Sequence, residues 1–397
     1  MNEKARASIS AAAVLVLAAT AVAQPRAPEA PRIVPAAEAE WPEALRAAAA
    51  ELEPDIANAI GTYAHYPELG EAMLRHLDYL WSESTLPARH RALLGLRTAW
   101  LARSEYLWAH RVPSARADGL GEDEIERVAR GPDAGWDEFE AALLLAADEL
   151  HVDSFISDAT WQTLSARYDV NQMIDTIDTV GGLTMYAGVI NSLGVELEPG
   201  ARERMPTGIP YEPAAERTHM RLVDGAPRIP PVEAEDGRGG GANVFRTFVR
   251  NPPADRVRGA INTHVNGSST LTPRHREMLL IRIGVLCRSE YEYAAHVRVG
   301  RRLGMTDDDI ALLLAGPASG QGEPFELALL RATDELYEHD AISDESWSEL
   351  AAELDTRQLF DVLVAVGGYR STSLLINSAG VQLDDNMADF RFPPELR

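Results

Sequence analysis

The sequence predicts an all-α protein made of two tandem bundles of about six helices each, joined by a linker rich in proline and glycine. The first observation behind this prediction is a duplication, since RHRALLGLRTAWLARSEYLWAH at 89–110 returns as RHREMLLIRIGVLCRSEYEYAAH at 274–296. The second is helix-like spacing of apolar residues, as at Leu279, Leu280, Ile283 and Leu286, without any sustained period-two stretch that would favour a sheet.

The duplication extends well beyond these segments. GLGEDEIERVARGP at 119–132 pairs with GMTDDDIALLLAGP at 304–317, and ISDATWQTL at 156–164 pairs with ISDESWSEL at 342–350. VGGLTMYAGVINSLGVEL at 180–197 pairs with VGGYRSTSLLINSAGVQL at 366–383. The offset is 185 residues and then 186, which is long enough for each copy to bury its own core. We therefore predict a duplicated domain, and polar groups found in only one copy are not required by the fold.

The N-terminus predicts export. Lys4 and Arg6 precede an apolar run at 9–19, and Ala21-Val22-Ala23 is a small-residue cleavage site, so residues 1–23 are typical of a signal peptide. An uncleaved anchor is the alternative. No second apolar stretch of spanning length is apparent, so we expect a periplasmic or secreted protein with no membrane association after signal removal. A net charge of −24 opposes binding to nucleic acid.

Composition and helix signals divide the rest of the chain. We predict a flexible lead at 24–40, unit 1 at 41–198, a linker at 199–243, unit 2 at 244–385 and a tail at 386–397 that docks on the protein. Helix starts are marked by Thr306 before three aspartates and by Ser343 before Asp344. The single cysteine, Cys287, cannot form a disulfide within one chain.

One segment of unit 2 carries a distinctive pattern, R-x-R-E-x-x-x-x-R followed by S-E-Y-E-Y-x-x-H. Its residues are Arg274, Arg276, Glu277, Arg282, Ser289, Glu290, Tyr291, Glu292, Tyr293 and His296. This pattern resembles the carboxymuconolactone decarboxylase family, whose fold is shared with alkyl hydroperoxidase D. The resemblance implies helical units that assemble into trimers or hexamers, so we expect a closed internal pseudo-dimer or a trimer of such chains.

The resemblance also places the positions of a redox site. The peroxidase branch of the family uses C-x-x-C-x-x-x-H with an upstream glutamate that relays protons. Alignment on His296 puts the two cysteine positions at Ser289 and Glu292 and the glutamate at Glu277. A thiol peroxidase needs an attacking thiolate and a resolving partner, and Cys287 lies two residues before the first position. Peroxidase activity would require Cys287 or an intermolecular thiol.

Unit 1 differs at the positions where chemistry is expected. Its equivalents of Glu277, Glu292, His296, Cys287 and Arg298 are Ala92, Leu107, Arg111, Ala102 and Pro113. The equivalents of Arg276, Arg282 and Glu290 are kept as Arg91, Arg97 and Glu105. We interpret unit 1 as a degenerate structural partner and unit 2 as the copy that bears any site.

Each candidate residue of unit 2 has two interpretations. Glu292 and His296 lie one helical turn apart and form an acid/base pair, or Glu292 completes a capping box with Ser289. Glu277 either joins that pair or makes an ion pair with a neighbouring arginine. A helix break at Ser289 would fold the chain back and bring Glu277 nearer His296.

Arg276 and Arg282 are candidates for binding a substrate carboxylate. Because both are kept in unit 1, a structural ion pair with an acid such as Glu290 is the other interpretation.

The favoured hypothesis is a cofactor-independent lyase, as the resemblance implies. The predicted catalytic residues are Glu277, Glu292 and His296, and a small carboxylate or lactone is the expected partner. No ligand cluster of metal-binding spacing and no phosphate-binding loop is apparent, so neither a metal nor a cofactor is expected. The alternatives are a peroxidase and a non-catalytic exported binding or assembly protein.

Overall fold

The computed structural model describes residues 28, 30–50, 56–215, 225–233 and 241–396, so the predicted signal peptide lies outside the described residues. Over these ranges the chain is helical and has no strand. Unit 1 contains α1 (Glu43–Ala50), α2 (Ala57–Tyr63), α3 (Pro67–Asp78), α4 (Ala88–Leu101), α5 (Glu105–Ala117), α6 (Glu122–Arg130), α7 (Glu138–Asp153), α8 (Asp158–Ser165) and α9 (Val170–Leu193). Unit 2 contains α10 (Asn243–Phe248), α11 (Pro252–Thr263), α12 (Pro273–Leu286), α13 (Glu290–Arg302), α14 (Asp307–Ala315), α15 (Pro324–His339), α16 (Asp344–Ala351) and α17 (Thr356–Ala379). The all-α class is confirmed, with more helices per unit than the six expected because several short ones are added.

Helix starts follow the cap signals in the sequence. The Thr306 side chain accepts a hydrogen bond from the Asp309 N–H at the start of α14, and Ser343 accepts from Ser346 at the start of α16, as predicted. α17 starts with a reciprocal capping box between Asp355 and Gln358. These caps satisfy backbone donors that the first helical turn leaves without partners.

Each bundle contains the same arginine–aspartate ion pair, which is fully buried in unit 1 and partly buried in unit 2. Arg282 on α12 donates two 2.7 Å hydrogen bonds to Asp334 on α15 and further bonds to the Leu313 and Leu314 carbonyls at the end of α14. In unit 1, Arg97 binds Asp148 and two α6 carbonyls in the same way. One guanidinium thus joins three helices in each unit.

The two units pack together mainly through their longest helices, α9 and α17. Contacts across this interface are reciprocal. Asn191 of α9 donates to the Asp340 carbonyl, while its equivalent Asn377 of α17 donates to the Ser154 carbonyl. α17 is the one described helix long and apolar enough to cross a membrane, although no second spanning stretch was expected. Because 94% of its apolar window is buried inside the protein, it serves here as a core helix.

Two equivalent segments cross between the units. We call residues 30–35 strap 1 and residues 226–231 strap 2, which begin with the same four residues, APRI. Arg32 of strap 1 binds the Ser192 carbonyl of unit 1 and the Ile342 carbonyl and Asp344 of unit 2. Arg228 of strap 2 makes the mirror-image set, with the Ser378 carbonyl of unit 2 and the Ile156 carbonyl and Asp158 of unit 1. The predicted lead and linker therefore each contain an ordered strap.

The C-terminal tail docks on α13. Arg391 donates to both carboxylate oxygens of Glu290 at 3.0 and 2.8 Å, and Phe392 stacks on Tyr293 with ring centroids 4.5 Å apart. Arg204 and Met205, after unit 1, approach Glu105 in the equivalent manner. Each copy of the repeat is thus a strap, a helical unit and a docked tail.

Candidate functional site

A sharp turn between α12 and α13 builds the site. Arg288 adopts a left-handed backbone with φ of 51°, and the Ser289 N–H returns to the Gly284 carbonyl, so α13 folds back along α12. Gly284 permits the close approach, since an added Cβ would lie 3.2 Å from the Tyr293 backbone nitrogen. Glu277 on α12 and His296 on α13, 19 residues apart, consequently come into direct contact.

Three predicted residues meet at His296. Its Nδ1 lies 2.7 Å from Glu277 Oε2 and its Nε2 lies 3.2 Å from Glu292 Oε2. His296 is 8% exposed, Glu277 1% and Glu292 4%. We call Glu277, His296 and Glu292 the triad.

The triad fixes the charge of the imidazole. A carboxylate only accepts hydrogen bonds, so a ring with a carboxylate at each nitrogen is best satisfied when both nitrogens carry hydrogen. Burial lowers the pKa of His296, but the hydrogen bonds and charges of Glu277 and Glu292 outweigh burial and raise the pKa to about 9. Burial raises the pKa of Glu277, and the contacts with His296 and Arg276 outweigh burial and lower it. At neutral pH the triad is an imidazolium between two carboxylates.

The capping interpretation of Glu292 does not describe the observed contacts. Ser289 occupies the N-cap of α13 but accepts no side-chain cap bond, and its buried hydroxyl has no partner among the described residues. In unit 1, by contrast, Ser104 does accept a bond from the Leu107 N–H. The Glu292 carboxylate contacts His296 instead.

The structure separates the two candidate substrate-binding arginines. Arg276 lies at the triad, where its Nε and Nη2 donate to Glu277 Oε1 at 3.2 and 3.0 Å. Arg282 is not brought to the triad, because its guanidinium is occupied by Asp334 and two carbonyls. The expected pairing of such an arginine with Glu290 is also not observed, since Glu290 binds Arg391.

Two further residues adjoin the triad that the sequence did not single out. Tyr369 on α17 places its ring edge-on to His296, with centroids 4.9 Å apart and an interplanar angle of 83°. Asn266, in the π-helical turn His264–Ser268, donates a 2.7 Å hydrogen bond to the Tyr369 hydroxyl. Only the comparison of VGGYR with VGGLT offered a signal, because Tyr369 replaces Leu183 there.

Unit 1 has no equivalent of this arrangement. Ala92 and Leu107 replace the two acids, and Arg111 replaces the histidine. Arg111 is buried and lies against Gly95, with Asp118 3.4 Å from its Nη2. Burial lowers the pKa of Arg111 to about 10. The polar site is therefore specific to unit 2.

A cavity of about 280 Å³ lies elsewhere, between the units, and is lined by residues including Arg103, Tyr211 and Asp340 but not by the triad. Within the described ranges, no group of three or more His, Cys, Asp or Glu residues is arranged to hold a metal ion. Cys287 is buried beside the α12–α13 turn.

The fold is thus a duplicated all-α bundle, and one copy holds a buried histidine between two glutamates from adjoining helices. The sequence model of the carboxymuconolactone decarboxylase family matches residues 67–148 and 252–335, once in each unit. Each unit therefore carries one domain of this family, in a tandem duplicated arrangement. Searches of the curated proteins and of the solved structures gave no significant match.

Proposed function

We propose that the protein is an exported, cofactor-independent lyase whose triad transfers a proton at a carbon next to the carbonyl of a small carboxylate or lactone. The observation that carries this proposal is the position of His296 between Glu277 and Glu292, an arrangement found in one copy of the repeat only. Export is supported by the signal-like sequence at 1–23.

The raised pKa of His296 supports the role of a general acid for this residue. When a carboxylate leaves as carbon dioxide, the electron pair of the broken carbon–carbon bond enters the neighbouring carbonyl and forms an enolate. The imidazolium then gives its proton to the carbon that lost the carboxylate, and the neutral imidazole takes a proton from water. The two carboxylates keep His296 charged before this step, which is the requirement for a general acid at neutral pH.

Arg276 is the group suited to hold the substrate carboxylate. A guanidinium has five N–H groups, of which Arg276 uses one from Nε and one from Nη2 on Glu277. A third bonds the Asn266 carbonyl at 3.3 Å. Two N–H groups remain without an acceptor among the described residues, one on each terminal nitrogen, which matches a bidentate carboxylate.

Peroxidase chemistry has less support. Ser289 and Glu292 occupy the positions of the two redox cysteines, and Cys287 is only 1% exposed. Cys287→Ala should retain full activity, whereas loss of activity in this variant would favour the peroxidase hypothesis.

The test is carbon dioxide release from a panel of 3-oxo acids and carboxylated unsaturated lactones. We expect turnover by the wild-type protein and by His275→Gln, a control on α12 whose ring packs against Phe325 and not against the triad. We expect His296→Gln to lose at least ~100-fold in kcat, a typical contribution of general acid catalysis. Failure of the wild-type protein to act on any member of the panel, with a folded His296→Gln showing changes only in stability or partner binding, would favour the exported binding or assembly protein.

A further inference from the structure

We propose that Tyr369 donates the hydrogen bond that holds the carbonyl oxygen of the substrate, and that Asn266 orients the Tyr369 hydroxyl for this task. The inference rests on the proposed lyase function and adds the group that stabilises the enolate. It also narrows the substrate class to compounds whose reacting carbon is conjugated to a carbonyl oxygen.

The hydrogen atoms around Asn266 can be counted. Its Nδ2 has two hydrogens, and it lies 2.8 Å from the Asn262 carbonyl oxygen and 2.7 Å from the Tyr369 hydroxyl oxygen. The carbonyl accepts only, which fixes the orientation of the amide, so the second hydrogen is given to Tyr369. The tyrosine oxygen is therefore an acceptor in this contact, and its own hydrogen is left for another partner.

Among the described residues, none accepts a hydrogen bond from the Tyr369 hydroxyl. Tyr369 is 6% exposed, while Asn266 is exposed, so the hydroxyl lies where the buried triad meets the surface. Burial and then the nearby Glu292 carboxylate raise the pKa of Tyr369 far above its usual value. The phenol thus stays neutral and remains a hydrogen-bond donor across the pH range of the folded protein.

The position of this donor suits an enolate. A substrate held by Arg276 and protonated by His296 develops negative charge on a carbonyl oxygen beside the reacting carbon. The Tyr369 ring contacts the His296 imidazole directly, so the Tyr369 hydroxyl lies close to the group that donates the proton. A fixed neutral donor in a partly desolvated site stabilises such a charge more than water does, because it needs no reorganisation during the reaction.

The internal repeat supplies independent support. The unit 1 equivalents of Tyr369 and Asn266 are Leu183 and Trp81, neither of which offers this pair of polar groups. Both changes accompany the loss of Glu277, Glu292 and His296 from unit 1. By contrast, the neighbouring structural contact of Asp361 with the Thr270 N–H is kept in unit 1, where Asp175 binds the Thr85 N–H.

The first experiment is Tyr369→Phe, which keeps the ring beside His296 and removes only the hydroxyl. We expect kcat to fall ~100-fold or more, as for the loss of one enolate-binding donor, with KM changed by less than ~3-fold. The pKa of His296, measured by NMR, should stay near its wild-type value. Tyr337→Phe, another buried tyrosine in unit 2, is the matched control and should keep wild-type kcat.

Asn266→Asp tests the orientation of the hydroxyl. The aspartate has the shape of asparagine but accepts hydrogen bonds only, so it would capture the Tyr369 hydrogen. We expect a loss of kcat comparable with that of Tyr369→Phe and larger than that of Asn266→Ala. Unchanged kcat in a folded Tyr369→Phe protein would overturn the proposal while leaving the role of His296 intact.

A binding measurement separates this proposal from the lyase itself. The probe is a saturated γ-lactone carboxylate labelled with ¹³C at the ring carbonyl, which forms no enolate by decarboxylation. We expect a downfield carbonyl shift on binding to the wild-type protein and to His296→Gln, and its loss in Tyr369→Phe. If the shift persists in Tyr369→Phe, the carbonyl contact is refuted. If the shift behaves as expected but nothing is turned over, the lyase function fails and the carbonyl contact stands.

Discussion

Replacing Glu277 by glutamine should lower the pKa of His296 by more than about one unit. The pKa of His296 is raised from 6.5 to about 9. That difference corresponds to about 3 kcal/mol favouring the charged ring, at about 1.4 kcal/mol per unit. The two carboxylates produce this rise against the opposing effect of burial, so each contributes more than half of it on average. Glu277 makes the shorter contact, 2.7 Å against 3.2 Å, so its loss should bring the pKa of His296 below about 8.

NMR of protein labelled with ¹⁵N-histidine measures this pKa directly, and His296→Gln identifies the signal by its disappearance. Glu326→Gln is a suitable control, because Glu326 pairs with Arg274 and not with a residue of the triad. A wild-type pKa for His296 near 6.5, or an equal pKa in Glu277→Gln, would refute the view of the triad as a stabilised imidazolium.

Three further predictions concern stability. Because the pKa of His296 is raised in the folded state, the contribution of His296 to stability is complete below pH 6.5 and is lost as pH rises through about 9. The free energy of unfolding, measured by urea denaturation, should therefore fall by up to about 3 kcal/mol over this window. A free energy of unfolding that is independent of pH there would contradict the assignment. Arg97→Ala leaves Asp148 fully buried without its ion-pair partner and should cost about 3–5 kcal/mol by urea denaturation, whereas a cost below about 1 kcal/mol would show that the pair is dispensable. Gly316→Ala should destabilise the protein by more than about 1 kcal/mol, because φ is 79° and the added Cβ would lie 2.4 Å from Arg282. Gly304→Ala, at a φ of 90° but with no atom near the added Cβ, should destabilise it less. Equal losses of stability in the two variants would argue against the clash.

The sequence predicted the helical fold because its signals are local. Helical spacing and caps such as Thr306 involve residues within a few helical turns. The repeat is found by direct comparison of the two copies. The straps were not predicted, because four shared residues, APRI, are too few to stand out within proline-rich segments. The tail was expected to dock, but the sequence did not indicate that it would dock on α13. Their contacts, such as that of Arg32 with Ile342, join residues 310 positions apart, and no local pattern specifies such a pairing.

The site was predicted in part, for a related reason. Glu292 and His296 share one helix, so their spacing alone indicates a contact, and the capping signal at Ser289 suggested the turn that brings Glu277 to them. Tyr369 comes from α17, 73 residues after His296, and its approach depends on how that helix packs on α12. Its hydroxyl matters only once a neighbouring turn supplies Asn266.

The reciprocal straps explain why a copy without the triad is retained. Strap 2 precedes unit 2 in the chain, yet Arg228 binds the Ile156 carbonyl and Asp158 of unit 1, and α17 packs along α9. Tyr369 lies on α17, and this helix also packs against unit 1. Gly367 of α17, for example, lies close to Met185 of α9. Unit 1 thus fixes the helix that presents Tyr369 to His296, so its own polar site can be lost while its packing surface cannot.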